Sequence, residues 1–352
     1  MIGTRVKLVR EILDKTQAEL GEILGTTQSG VASMEAGIYR PSQDFIRTIG
    51  QNTGFPAKFF DKGELPEFPV GSILYRAQAA VKAGPRSRAH ALAHVCFEFA
   101  MEMVSRLKQI PVNIPRLSES PEVCAQITRS ALGLSPATPI KNLVGCLERN
   151  GVLIFSLPME VEGFDGFSAW AGGTPVRPVI ALLRGKTAYR EVFTCAEELA
   201  HLTMHSPLRV SAKEADKQAR RFAQEFLLPA HAMTVEMQKP VTLSSLAALK
   251  TRWGVSISFL AKRAEALSLL TPNQYRYVIQ QMRTAWGGRS EPGDESVIPE
   301  RPRLLKKMSE MLYGNPIELP KLAKDSGLPV YFLRTILGLQ TDMRVIELKP
   351  RE

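Results

Sequence analysis

The chain has 352 residues, 45 Lys and Arg against 35 Asp and Glu for a formal charge of +10, and 44% hydrophobic residues. That length exceeds one small core and predicts two or three domains of roughly 100–200 residues each, while the positive balance suits an acidic partner such as nucleic acid without requiring one. No apolar run reaches the roughly 18–20 residues of a membrane span, and the opening MIGTRVKLVREILDK alternates charged with apolar residues where a secretory leader would hold an apolar core, so a cytoplasmic protein with no membrane contact is expected.

From Thr4 to about Phe60 the pattern predicts short amphipathic helices joined by small polar turns. In TQAELGEILGTTQSGVASMEAG, Thr16 with Glu19 forms a capping-box pair, and Ala18, Leu20, Ile23 and Leu24 make the inward stripe of the helix that follows. Gly25 stops that helix, Thr26 or Thr27 opens the next, Val31 and Met34 point inward, and Gln28, Ser29 and Ser33 face out. Two short helices at a sharp angle, the second with small polar residues at its start, have the geometry of a helix-turn-helix. With Gln17, Gly25, Glu35 and Gly37 in place, the segment 1–62 resembles the Xre/Cro-type family. The resemblance implies that Arg10 and Gln17 hold phosphates of a double-stranded DNA operator, and that Gln28, Ser29 and Ser33 meet base edges. Residues 1–58 carry Arg5, Lys7, Arg10, Lys15, Arg40, Arg47 and Lys58 against Glu11, Asp14, Glu19, Glu22, Glu35 and Asp44. So nearly balanced a copy attracts phosphate weakly, and a homodimer reading two half-sites is expected.

The stretch 63–85, rich in Pro and Gly, reads as a linker. Arg86 to Gln109 reads as a long helix carrying His90 and His94 at i,i+4, a spacing open to a metal pair or to plain helix surface. Cys96, Cys124, Cys146 and Cys195 stand singly in apolar surroundings and read as buried thiols rather than a disulfide framework. GVLIFSL (151–157), GFSAWAG (166–172) and RPVIALL (177–183) predict three short strands, expected to form a small antiparallel sheet. Two helices follow, one containing FTCAEELAHLTMH (193–205) and the next ARRFAQEFLLP (219–229).

This order, from about Arg86 to Lys239, resembles the ImmA/IrrE family of zinc metallo-endopeptidases, whose site needs two imidazoles a helical turn apart, a carboxylate from the next helix and a free general-base Glu. The resemblance places the first His on Glu197, the general base on Glu198, the second His on His201 and the third ligand on Gln218. Two of three ligand positions have changed, so the motif is degenerate. Glu197 is an acceptable oxygen ligand; Gln218 is a weak one, and Glu214, four residues earlier on the same face, is a possible substitute. His205 is spaced to pair with His201, although the family often carries a non-ligand His there. Glu197 and Glu198 side by side in an apolar helix favour keeping one neutral or salt-bridged, with Arg220 and Arg221 as candidate partners. The expectation is a zincin-like domain over 86–240 without bound cofactor, zinc entering only if the site is functional.

Residues 241–285 read as a helical extension, 286–302 as a flexible linker and 303–352 as a C-terminal helical element whose LPKLAKDSGLPVYFLRTILG loosely echoes the first helix-turn-helix but better suits packing or dimerisation. The whole predicts a mainly α, α+β chain: a DNA-binding transcriptional regulator in which the middle domain is a protease-like sensory or interaction module answering a small-molecule or protein effector. Two alternatives stand beside it, a zinc endopeptidase that cleaves a repressor using Glu198, and an antitoxin-like or immunity protein acting through protein contacts.

Overall fold

The computed structural model describes residues 2–72, 82–108, 110–173, 176–205, 210–287, 291–294 and 297–339. Residues 73–81 of the expected first linker, 288–290 and 295–296 of the second, and 340–352 at the C-terminal end lie outside the described residues.

Five helices open the chain: α1 (Ile2–Ile12), α2 (Gln17–Leu24), α3 (Gln28–Glu35), α4 (Gln43–Thr53) and α5 (Ala57–Asp61). Thr16 accepts from the Glu19 N–H while the Glu19 carboxylate accepts from the Thr16 N–H, so the capping box forms. Gly25, at φ +67°, ends α2, and the Thr27 hydroxyl accepts from the Gly30 N–H to start α3. The inward stripe of α2 differs from expectation at one place: Ala18 is exposed and Gly21 is buried. A Cβ at Gly21 would sit 2.9 Å from the Thr26 carbonyl oxygen, so only glycine lets α2 lie this close to the turn.

Next comes α6 (Ala83–Val104), buried from Ala91 through Phe99 except at His94, as a helix covered on several sides must be. Three strands follow α7 (Pro121–Ala131) and α8 (Leu143–Arg149): β1 (Leu153–Leu157), β2 (Gly166–Ala171) and β3 (Arg177–Leu183). Their order is β1-β3-β2, with β3 parallel to β1 and antiparallel to β2. The sheet is therefore mixed, not wholly antiparallel as expected. Residues 158–165 carry the chain past one empty strand position, two spacings or about 10 Å, and β3 then inserts between its predecessors. As the central strand, β3 is buried at every residue, whereas β2 is an edge.

Alternation along the strands serves two cores. Leu153, Phe155, Phe167, Val179 and Ala181 join a core built with α1 to α6 and the C-terminal helices α15 (Leu304–Tyr313), α16 (Leu319–Ser326) and α17 (Val330–Ile336). Ile154, Ile180 and Leu182 face the other core, which holds α7, α8 and the series α9 (Ala188–Met204), α10 (Ala212–Leu227), α11 (Ala230–Glu236), α12 (Leu243–Trp253), α13 (Ile257–Ala266) and α14 (Pro272–Trp286). One core thus runs across the first linker.

Polar pins reinforce that continuity. Arg5 of α1 is fully buried and donates to both oxygens of Glu98 on α6, at 2.6 and 3.1 Å, and to the Gly63 carbonyl at 2.8 Å, with its guanidinium over the Phe59 ring. The C-terminal helices dock on the opening bundle: Phe332 meets Phe55, and Lys58 donates to the Lys324 carbonyl. In the second linker, composition suggests mobility, yet the described residues are tethered. Glu291 accepts from the Ile257 and Ser258 N–H groups at the start of α13, and Glu300 accepts from the Val144 N–H of α8. All four cysteines are free and buried.

Candidate functional site

The Thr187 hydroxyl caps α9, which then passes between the sheet and α10 with every residue from Thr194 to Thr203 buried. Glu197, Glu198 and His201 are 4%, 0% and 4% exposed, which rules out a solvated acidic pair. Successive helical residues diverge by about 100°, so the two carboxylates part company. Glu197 faces α10, where its Oε1 lies 3.6 Å from Arg220 Nε. Glu198 faces β2. Arg221, the other expected partner, pairs instead with Glu122 on α7.

The remaining residues form a relay. Gln218 Nε2 donates to Glu214 Oε1 at 3.2 Å, and because a carboxylate only accepts, this fixes the amide's orientation. Gln218 Oε1 then accepts from His205 Nε2 at 3.1 Å, leaving His205 Nδ1 as the acceptor of the 2.8 Å bond to His201 Nδ1. His201 is held in its Nδ1–H tautomer, with the lone pair on Nε2. Burial pushes the His205 pKa down, against smaller opposing effects of the Gln218 bond and Asp216, which suits a neutral ring in this chain. His205, a non-ligand position by resemblance, is the hinge of the relay and links Gln218 to His201.

The side chains at the expected ligand positions have partners within the protein. Glu197 is engaged with a guanidinium, the Gln218 amide oxygen is committed to His205, and among the described residues no three His, Cys, Asp or Glu side chains converge as a metal would need.

On the other face of α9, two serines that the sequence did not single out meet Glu198. Its Oε2 accepts from Ser72 Oγ at 2.7 Å and from Ser168 Oγ at 2.9 Å. Ser168 comes from edge strand β2, Ser72 from the linker. The Ser72 N–H donates to the Ser168 carbonyl and its hydroxyl accepts from the Ser168 N–H, so the linker pairs with the edge. Further back, the Gly172 N–H donates to the Glu67 carbonyl. His94 and His90 on α6 hold the alternate carbonyls of Pro66 and Phe68, at 2.8 and 3.1 Å, and the Phe68 ring stacks on His94. The imidazole pair therefore grips a strap of backbone rather than a metal. Burial lowers both values, that of His94 to about 4.

In the opening bundle, Gln28 and Ser29 are exposed at the start of α3, the Ser29 hydroxyl bonds to that of Thr27, and Ser33 is half-buried. Arg10 and Gln17 converge on Glu35: Arg10 donates from Nε and Nη2 at 2.6 and 3.1 Å, Gln17 from Nε2 at 2.9 Å. The three side chains tie α1, α2 and α3 together and fix the angle at which α3 is presented.

Residues 6–58 match the family model described as Helix-turn-helix, and residues 147–265 match the one described as IrrE N-terminal-like domain. The chain joins these two domains. The second match begins and ends later than the Arg86–Lys239 span of the resemblance and takes in α12 and nearly all of α13. No curated protein matches the chain. The motif ARRFAQEFLLP has a structural explanation of its own: Glu225 accepts from Arg263, from Gln126 and from the Ala230 N–H that starts α11.

Proposed function

We propose that the protein is a dimeric, cytoplasmic regulator that binds a double-stranded DNA operator through α3, and that its IrrE-like domain receives a signal instead of cleaving protein. The observation that carries this reading is the use already made of the site's donors: Arg220 beside Glu197, His205 on Gln218, and Ser72 with Ser168 on Glu198. Gln28, exposed at the helix start, has the chemistry for a bidentate pair with adenine, and Ser29 and Ser33 would add less selective contacts. Gln17 at the start of α2 and Arg10 in the last turn of α1 would meet phosphates besides bracing Glu35. A cleft of about 400 Å³ lined by Tyr189, Arg190, Phe193, Phe259 and Trp286 is of a size to take a small effector.

Two measurements test the proposal. Elemental mass spectrometry after mild chelation is expected to find no stoichiometric zinc; about one zinc per chain that disappears in His201→Ala, with cleavage lost in Glu198→Gln, revives the peptidase. Operator binding by Gln28→Ala is expected to weaken by about 1–3 kcal/mol at one base position. An equal loss at all positions, or none, removes the base-reading role.

A further inference from the structure

We propose that the edge of β2 is a docking site for an extended polypeptide, held shut by the chain's own strap, residues 66–72, until a partner segment displaces it. The inference rests on the sensory reading above and names the partner's class. The strap runs antiparallel to β2, Glu67 against Gly172 and Ser72 against Ser168, with one residue more on the strap than on the strand. Phe68 and Ser72 are buried and seat the strap, with Val70 between them exposed.

Its chemistry is nevertheless that of a poor strand. Pro66 and Pro69 carry no N–H, and Pro69 falls opposite Trp170, where among the described residues no backbone bond joins strap and strand. Gly71 breaks the extended backbone at φ +55°, and a Cβ there would lie 2.1 Å from the Ser168 carbonyl oxygen. An ordinary peptide segment, with an N–H at every position, pairs with the same edge more completely. Main-chain pairing supplies such a partner's affinity, and a small hydroxyl residue at the place of Ser72 would reach Glu198.

Displacement has a route to the DNA-binding end. The Gly63 carbonyl, three residues before the strap, is held by Arg5 of α1, and the strap's carbonyls are held by His90 and His94 on the helix against which α1 packs. Pulling 66–72 off the edge therefore strains the contacts that seat the bundle on α6.

The test uses the full chain, a fluorescein-labelled peptide of residues 64–72 (ELPEFPVGS) and amide hydrogen exchange. Gly71→Val should eject the strap: the labelled peptide then binds in trans, and exchange at Gly172 and Ser168 speeds up by roughly tenfold or more before it is added. Pro69→Ala should act in the opposite direction, slowing exchange at Gly172 and excluding the peptide as the wild type does, so a folding defect in the first variant does not decide the matter. Equal binding by wild type and Gly71→Val, binding by neither, or unchanged protection at Gly172 in both variants overturns the proposal. Operator binding by the wild-type chain, whose strap is in place, does not depend on the peptide result, so the regulator reading and the strap fail separately.

Discussion

The contact between Arg5 and Glu98 makes the sharpest quantitative test, because it joins the DNA-binding bundle to α6. Replacing Glu98 by Gln keeps shape and one acceptor oxygen but removes the charge that balances Arg5, whose side chain is 1% exposed, and Lys62, which approaches Glu98 at 3.9 Å and pairs with Glu102. Two cations then face one carboxylate. Leaving a buried charge uncompensated costs about 3–5 kcal/mol; with the Gln oxygen still accepting one bond and the Gly63 carbonyl unchanged, the lower end is expected, about 3 kcal/mol. That is a large share of the roughly 5–15 kcal/mol that stabilises an ordinary domain. All three tryptophans, Trp170, Trp253 and Trp286, lie beyond the bundle, so urea unfolding followed by fluorescence reports the rest of the chain and far-ultraviolet circular dichroism reports both parts. Wild-type transitions should coincide; in Glu98→Gln the dichroism should begin to fall first. The double variant Arg5→Met with Glu98→Met, which removes both charges, should recover much of the loss. A loss below about 1 kcal/mol in the single variant, or a double variant as unstable as the sum of the two singles, would refute the view that charge compensation at this site matters.

Two further outcomes are expected. His94, held at about 4 when folded against 6.5 unfolded, takes up its proton first in the unfolded chain as pH falls, so its contribution is whole above 6.5 and is lost between 6.5 and about 4. His90 is lowered in the same sense, by burial first and with Lys7 adding, against its backbone bonds at Phe68 and Pro69; around His94, Arg5 and His90 add to burial while the Pro66 bond and Glu98 oppose it. Stability measured across that window should fall by up to about 3 kcal/mol from His94, and a slope unchanged by His94→Gln would exclude this origin. Nitrogen-15 NMR of labelled histidine should find His201 as the Nδ1–H tautomer in the wild type and a mixture in His205→Ala; an Nε2–H ring in the wild type would mean that the relay runs otherwise.

What the sequence reveals here is what is local. Thr16, Glu19, Gly25 and Thr27 act within four residues of their partners, and their roles follow from spacing alone. Strand segments are legible for the same reason, but the insertion of β3 between β1 and β2 depends on where the following helices pack, and no alternation pattern encodes it. His90 and His94 show an i,i+4 spacing, yet their partners are backbone carbonyls at Pro66 and Phe68, which carry no side-chain signature. Ser72 meets Glu198 across 126 positions and sits in a stretch that composition marks as linker. The available signal was weaker: Pro66, Pro69 and Gly71 punctuate a short stretch that holds Phe68, Val70 and Ser72, a composition found at sheet edges.

Gln218 shows how the same residue changes meaning when its neighbours are in place. By resemblance it is a failed ligand, an amide where a metal site wants a carboxylate. Between His205 and Glu214 it must accept from a ring N–H on one side and donate to a carboxylate on the other, and an amide alone among the two candidates does both. Glutamate at 218 would still accept from His205 but would set one carboxylate against another at the 3.2 Å contact, with repulsion in place of the bond. The amide that the resemblance makes a weak zinc ligand is thus the group that holding His205 requires, and through His205 the tautomer of His201.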